Sequence, residues 1–415
     1  MHALGVAFTP AGALFGMIQL FATCGAMTHP EWVPQRWQLV VGYEGANILM
    51  LLLLLYAGKH LALLNRISLV GIFGGLFIVV GCLLGGSGAG SSHQFVWTKF
   101  QNDSGFASNV YCSLIALGTS LYAYGVPHWL CNLADDVERP DRAIPIALAA
   151  QQIGNGVTLF LFFVAAGYAV TDFDALLETL YPSSVGVIFD QAVQSKGGSI
   201  ALILIICIPG IISFMSYNSA CIYVFHGFVR TGAIPGWQWL IKIGKQGKGA
   251  ANIIYVLTFI NAILGLIYLG SPVGFSILLS VPGALYFSGF LVPLGAHVIT
   301  SGRNLKRHGW FSLPRKVSVA LAAVNILGVT FHLILVCLPR EGPVTTENMN
   351  HSVLFMVFGL ICALASWNFY GKRHYRGISI EVIDGLSLGR AGVSNESAKT
   401  AQDALAHTCQ HGNPK

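Results

Sequence analysis

The sequence predicts an all-α polytopic membrane protein of about 10 transmembrane helices. Three observations carry that prediction. Of 415 residues, 54% are hydrophobic and 10% are charged, against about 25% charged in a soluble domain. The apolar residues gather into ten runs, each long enough to cross a hydrocarbon core, which takes roughly 20 residues. The Lys and Arg between those runs fall mostly on alternate loops. The composition excludes a soluble globular enzyme, a disordered chain and a nucleic-acid binder. The net charge of +6 comes from basic residues in short loops, not from a phosphate-binding face.

The expected spans are 8–27, 38–57, 67–87, 106–134, 148–170, 198–226, 252–270, 273–299, 317–337 and 352–370. The fourth and sixth are long. The fourth is interrupted at Tyr124-Gly125-Val126-Pro127, where proline removes a backbone donor and clashes with the preceding turn. The sixth carries Pro209-Gly210; the eighth carries Pro282-Gly283 and Pro293. With the N-terminus in the cytosol, 19 of the 23 Lys and Arg fall on inner segments. The other four, Arg36, Lys99, Lys196 and Arg340, fall outside. Both termini are therefore expected in the cytosol. Two glycosylation sequons, at Asn102 and Asn350, land on the outer side, with Asn350 close to the membrane.

The spans make one transmembrane domain, 1–371. The remainder, 372–415, is polar and is expected to be a disordered cytosolic tail. The start carries no basic n-region or cleavage site, so no removable signal peptide is expected. Of nine cysteines, eight lie in or beside apolar runs. They read as small buried hydrophobes rather than disulfide or zinc frameworks, and no cofactor is expected.

The interrupted helix is the strongest pointer to function. Unwound backbone at membrane depth is tolerated only where protein buries it or where it lines a cavity. Free helix ends there can hold substrate and coupling ions. The stretch from Ser120 to Asn132 sets Tyr122, Tyr124, His128 and Trp129 around a Gly/Pro break. Aromatic faces suit an amine cation. The same stretch also reads as a kinked packing helix with aromatic filler. The run that follows holds Asp135, Asp136, Pro140, Arg142 and Pro145. Taken alone, that run is a solvated cytosolic loop.

The run resembles the acidic pair, then Pro, Arg and Pro, that follows the broken sixth helix of the amino acid–polyamine–organocation permeases. Asp135 and Asp136 stand where that family carries glutamates. The stretch from Leu338 to Asn350, followed by Gly359, Trp367, Gly371, Tyr375, Gly377 and Ile380, is similar to the fungal amino acid/choline/GABA permease branch. So is His29 to Trp37, and, more weakly, Phe228-Val229-Arg230 with Pro235. The resemblance is collinear to about residue 385. It implies a leucine-transporter-like fold with a five-plus-five inverted repeat. By this alignment the chain begins within the family's third helix, so the repeat is expected to be incomplete at the N-terminus.

The family's first helix is also broken and contributes to the substrate and ion sites. The chain departs from the family at Val126-Pro127-His128, where a small residue and an acid are usual. It departs again at Ile222-Tyr223, where Ser-Arg is usual. His128 reads either as a proton-coupling group or as a hydrogen-bonded core histidine.

The resemblance implies a secondary-active, proton-coupled symporter for amino acids or related small amines such as choline or GABA. The expected substrate-binding residues are Tyr124, Gly125, Val126, Pro127, His128 and Trp129, with Ser213, Ser216, Tyr217 and Asn218 of the family's eighth helix. Asp135, Asp136, Pro140, Arg142 and Pro145 make the cytosolic gate motif. The partners are a small amine-bearing solute, the lipid bilayer and protons as coupling ion. The plasma membrane is the expected location, with the vacuolar membrane as the alternative. No enzyme motif is found. The rival expectation is a truncated, non-transporting permease-like membrane protein: a fragment, a sensor or a partner subunit.

Several other polar residues stand out. Glu44 is the one acid well inside an apolar span. It reads either as a proton site or as a side chain reaching the interface near Arg36. Gln151, Gln152 and Asn155 sit together at the start of a span. Asn261, Asn325, His332 and Asn368 read as interhelical hydrogen-bond partners. Gly71, Gly74 and Gly75 read as helix-packing positions.

Overall fold

A computed structural model of the chain describes residues 2–29, 31–86, 90–123, 130–131, 137–232, 234–241, 251–303, 310–345, 349–350 and 352–375. Among them every regular element is helical. The long helices are α1 (His2–Thr28), α2 (Arg36–Ala57), α3 (Leu61–Gly85), α5 (Asn109–Ala123), α6 (Pro140–Ala169), α9 (Lys196–Arg230), α11 (Ala251–Gly270), α12 (Pro272–Ile299), α13 (Arg315–Cys337) and α14 (Ser352–Ser366). The last continues through a π-turn, Trp367–Gly371, into α15 (Lys372–His374). Short helices α4 (His93–Trp97), α7 (Asp174–Leu177), α8 (Val185–Val193) and α10 (Trp237–Ile241) cover the ends of the bundle. Among the described residues nine helices are long and apolar enough to cross a membrane, and Asn109–Gly118 is a shorter apolar one. The chain is a multi-pass membrane protein.

Each expected span has its helix, and the short capping helices are additions. The fourth span is seen as α5; its continuation at 124–129 and 132–136 lies outside the described residues. The sixth span is one helix of 35 residues, about 52 Å at 1.5 Å per residue. It runs through Pro209. Helix starts follow local chemistry. Gln35 and Gln38 form a reciprocal cap on α2, and Ser195 accepts from the Gly198 N–H at the head of α9.

The loops sort by end, as strict alternation requires. At one end the Gly342 N–H donates to the Ser104 carbonyl at 2.7 Å. There too the Tyr111 hydroxyl donates to the Pro339 carbonyl at 3.0 Å, and the Ser183 N–H donates to the Thr23 hydroxyl at 3.1 Å. At the other end the Arg142 guanidinium lies 5.2 Å from the Trp310 ring centroid, and Gly232 abuts the His374 carbonyl.

The helix pairings carry an internal symmetry. α1 packs on α9, and α2 packs on α11. α1 packs on α12 as α9 packs on α3, and α1 packs on α2 as α9 packs on α11. Exchanging α1 with α9, α2 with α11 and α3 with α12 maps these pairings onto one another, although the α11–α12 contact has no comparable contact between α2 and α3. Each exchange joins helices of opposite direction. This is the pattern of an inverted repeat. α1 and α9 lie at the centre, and α6, α13 and α14 expose most of their surface to the lipid side.

Candidate substrate-binding site

The polar stretch Ser213 to Asn218 lies near the middle of α9, opposite α3. α3 can come close because glycines face α9. A methyl group on Gly71 would stand 2.9 Å from the Pro209 ring, and one on Gly75 would stand 2.9 Å from the Ile205 side chain. Gly74 faces open space, with nothing within 4 Å. So two of the three glycines expected to pack do so against α9. Pro209 removes the N–H that would have bonded the Ile205 carbonyl. The close approach falls at that proline.

Two α3 residues then meet α9. Buried Ser68 donates its hydroxyl proton to the Pro209 carbonyl at 3.0 Å. Its oxygen lies 2.9 Å from the Ser213 oxygen. A hydroxyl has one proton, so Ser213 is the donor of that pair. Ser216 donates to the Asn65 side-chain oxygen, with the Ile212 carbonyl at 3.3 Å as a second acceptor. Both serine protons are thus directed into the α3–α9 contact, and lone pairs are what the hydroxyls have left to offer. Tyr217 instead packs toward α1. Its ring lies 6.3 Å from Phe214 and nearly parallel to it, in the cluster that includes Leu14, Phe15 and Tyr43. The Asn218 amide donates to the Phe214 carbonyl of its own helix at 2.9 Å. The four expected residues of α9 therefore divide: two face α3, one faces the α1 side, and one bonds its own backbone.

Asn65 and Ser68 are hydrogen-bond partners of the α9 serines that the sequence does not single out. Their signal is faint: a lone amide and a lone hydroxyl, one turn apart on the helix that carries Gly71 and Gly75.

The other half of the expected site, Tyr124, Gly125, Val126, Pro127, His128 and Trp129, lies outside the described residues, as do Asp135 and Asp136. The helix that leads into it is firmly held. A methyl group on Gly118 of α5 would stand 3.1 Å from the Leu335 side chain of α13. At its N-terminal end Tyr111 packs edge-on to Phe106 at 4.5 Å. Asn102 donates to the Phe106 carbonyl at 2.9 Å and to Asn109 at 3.1 Å. Asn350 is equally engaged. Its amide bonds the Val336 and Leu338 carbonyls at 2.6 and 2.9 Å, and its oxygen accepts from the Ser352 N–H. It closes the end of α13 and caps α14.

In the gate motif, Arg139 takes a left-handed conformation (φ 53°) and Pro140 opens α6. That position suits proline, whose missing N–H would have had no helical partner. Pro145 lies inside the helix. Arg142 stacks on Trp310 of the α12–α13 loop.

The remaining polar residues depart from expectation. Asn325 and Asn368 donate to carbonyls of their own helices, Leu321 and Leu364. His332, 5% exposed, packs its ring edge-on to Phe287 at 4.5 Å, and neither ring nitrogen has a hydrogen-bond partner. Asn261 is bridged across helices through its backbone carbonyl, which accepts from Tyr43 at 3.0 Å. Short polar side chains can bond carbonyls of their own helix, so a polar residue in a span need not bridge two. Gln151, Gln152 and Asn155 lie within α6, with the Gln151 side-chain oxygen buried and unpartnered. Among the described residues no group of three or more His, Cys, Asp or Glu could hold a metal, and the eight described cysteines are free thiols.

A family model described as amino acid permease matches residues 3–361. A choline transporter of Saccharomyces cerevisiae is 24% identical over 384 residues, covering 90% of this chain and 66% of the relative. A polyamine transporter of the same yeast is 22% identical over 415 residues, covering 96% of this chain and 65% of the relative. An amino-acid permease of Arabidopsis thaliana is 23% identical over 357 residues, covering 80% and 68%. The chain thus spans about two thirds of the length of these curated relatives.

Proposed function

Because the chain belongs to the amino acid permease family, we propose that it is a secondary-active transporter of amino acids or related small amines, coupled to protons. The observation that carries this reading is the collinear match over residues 3–361 to a bundle whose central helices pair as an inverted repeat. The relatives named for choline, polyamine and amino acids share one substrate feature, a cationic amine. The aromatic faces of Tyr124, Tyr217 and Trp129 suit that positive charge, and the hydroxyl lone pairs of Ser213 and Ser216 suit it where the nitrogen carries N–H, as in polyamines and amino acids. The break that the sequence predicts at 124–128 is our candidate source of free backbone ends, with His128 as a candidate polar contact. Asp135, Asp136, Pro140, Arg142 and Pro145 serve the cytosolic gate. The basic end of the bundle faces the cytosol, and the plasma membrane is the working location.

The test is uptake by the full 415-residue chain reconstituted in liposomes. Labelled choline, GABA, putrescine and alanine are offered with an inward proton gradient. Uptake of at least one, abolished by a protonophore, is the expected result. Trp129→Ala and Tyr124→Ala should each slow uptake about tenfold, the effect of removing a desolvated cation–π contact worth roughly 1–2 kcal/mol. Uptake that survives replacement of the whole Tyr124–Trp129 segment overturns the site assignment.

A further inference from the structure

Glu44 lies eight residues into α2, about 12 Å from the Arg36 end. Its carboxyl does not reach back to that end. Oε1 is buried and has no hydrogen-bond partner. It rests against Gly265 of α11, where a methyl group would stand 2.8 Å from Oε1 and 2.3 Å from the Tyr43 ring. The carboxyl therefore occupies room that only a glycine leaves.

The same seam holds a second unmatched acceptor. Asn261 lies one turn from Gly265, is 4% exposed, and its Oδ1 has no partner. Two of the donors nearby are already committed. The Tyr43 hydroxyl donates to the Asn261 carbonyl at 3.0 Å. The Asn47 amide donates to the Thr258 carbonyl at 3.1 Å and also faces the Glu44 carboxyl, yet Oε1 stays unmatched. An ionised carboxylate only accepts, and so does an amide oxygen. Neither can satisfy the other. A protonated carboxyl adds a donor that the Asn261 oxygen can accept.

The surrounding charges do not supply a counter-ion. α1 and α11 contain no acid, lysine or arginine, and those of α9 are Lys196 and Arg230, at its two ends. The other titratable groups on the packed elements are tyrosines (Tyr43, Tyr56, Tyr217, Tyr223, Tyr255 and Tyr268), the thiols of α1 and α9, three imidazoles, and Lys59, next to His60 in the turn that ends α2. The imidazoles, His2, His60 and His226, lie toward the opposite end of the bundle.

We infer that Glu44 binds a proton inside the membrane, with Asn261 as its hydrogen-bond acceptor, and that uptake senses this proton. The second clause rests on the transporter reading. The site joins α2 to α11, one of the self-paired contacts of the repeat. Its position in the half of α2 that begins at Arg36 gives it a short path to the solution at that end.

The test uses the full chain in lipid nanodiscs and in liposomes. The infrared difference between wild type and Glu44→Gln at neutral pH should contain the carbonyl stretch of a protonated carboxylic acid. Asn261→Ala should move that band to higher wavenumber, because the O–H loses its acceptor. This second variant keeps the test open if Glu44→Gln does not fold. In liposomes, Glu44→Gln should lose the dependence of choline uptake on outside pH. Absence of the band overturns the proton site. A band with an unchanged pH profile in Glu44→Gln overturns its role in uptake. Failure of the wild type to take up any probe overturns the transporter reading, while the band still decides the proton site.

Discussion

The α3–α9 and α2–α11 contacts are built from similar parts and differ in one respect. Each has a glycine facing a bulky neighbour, a short polar side chain and a hydroxyl that donates to a carbonyl across the seam. Along α3–α9 each serine proton has an acceptor: Ser68 on the Pro209 carbonyl, Ser213 on Ser68, Ser216 on Asn65. Along α2–α11 two side-chain oxygens, from Glu44 and Asn261, have no donor. In hydrocarbon an unmatched polar atom has no water to turn to. A fully matched seam acts as structural glue. An unmatched one calls for an additional proton, and titration follows from that.

The largest effect should come from filling the glycine of the second seam. Gly265→Ala places a methyl 2.3 Å from the ring of Tyr43, which is 0% exposed and cannot swing away. Overpacking of this kind costs roughly 3 kcal/mol at its upper range. Gly71→Ala and Gly75→Ala meet side-chain atoms at 2.9 Å and should cost about 1 kcal/mol. Gly74→Ala meets nothing within 4 Å and should leave the melting temperature unchanged. Thermal unfolding in detergent, followed by tryptophan fluorescence, ranks the four. A Gly74 variant as damaged as Gly75 would dissolve the distinction between facing and non-facing positions.

Next is the hydroxyl that spans α2 and α11. Tyr43→Phe keeps the ring in place and removes the bond to the Asn261 carbonyl. The expected loss is about 1 kcal/mol, read by the same melting experiment. The carbonyl is left with its helical partner, which keeps the loss small. A loss as large as that of Gly265→Ala would mean that the hydroxyl also holds the carboxyl of Glu44 in place.

Much of this fold is legible in the sequence because membrane spans obey a length rule. The run expected at 38–57 is the helix Arg36–Ala57, and that expected at 317–337 is Arg315–Cys337. The nine-residue helix Val185–Val193 escapes such a reading because it is too short to span and follows no such rule. Helix partners are harder to read. In α3 nearly every residue is apolar, so the buried stripe of Ser68, Gly75, Val79 and Leu83 does not stand out from the lipid-facing sides by hydrophobicity. The polar residues of α9 are legible as a group, but not that Ser213 and Ser216 turn to α3 while Tyr217 turns to α1. For Glu44 the neighbouring Arg36 suggests a side chain reaching outward. The space beside Gly265, on a helix more than 200 positions away in the chain, is a tertiary fact.

The smallest predicted effect tests the claim that the α3–α9 seam is only glue. Ser68→Ala, Ser213→Ala and the double variant form a cycle whose coupling should be about 0.6 kcal/mol, the usual strength of a hydrogen bond between membrane helices. Ser68→Ala should be the costlier single change, because it also frees the Pro209 carbonyl of α9. Ser213→Ala removes a donor whose acceptor, Ser68, keeps its own bond. The cycle is measured by unfolding in mixed detergent micelles. Uptake by the same variants then separates two roles for Ser213. If its hydroxyl serves the α3 contact alone, Ser213→Ala lowers stability by that small amount and leaves the KM for the amine unchanged. If its lone pairs also receive the substrate amine, KM rises while the coupling energy stays the same. That second result would place the face of α9 in the substrate site.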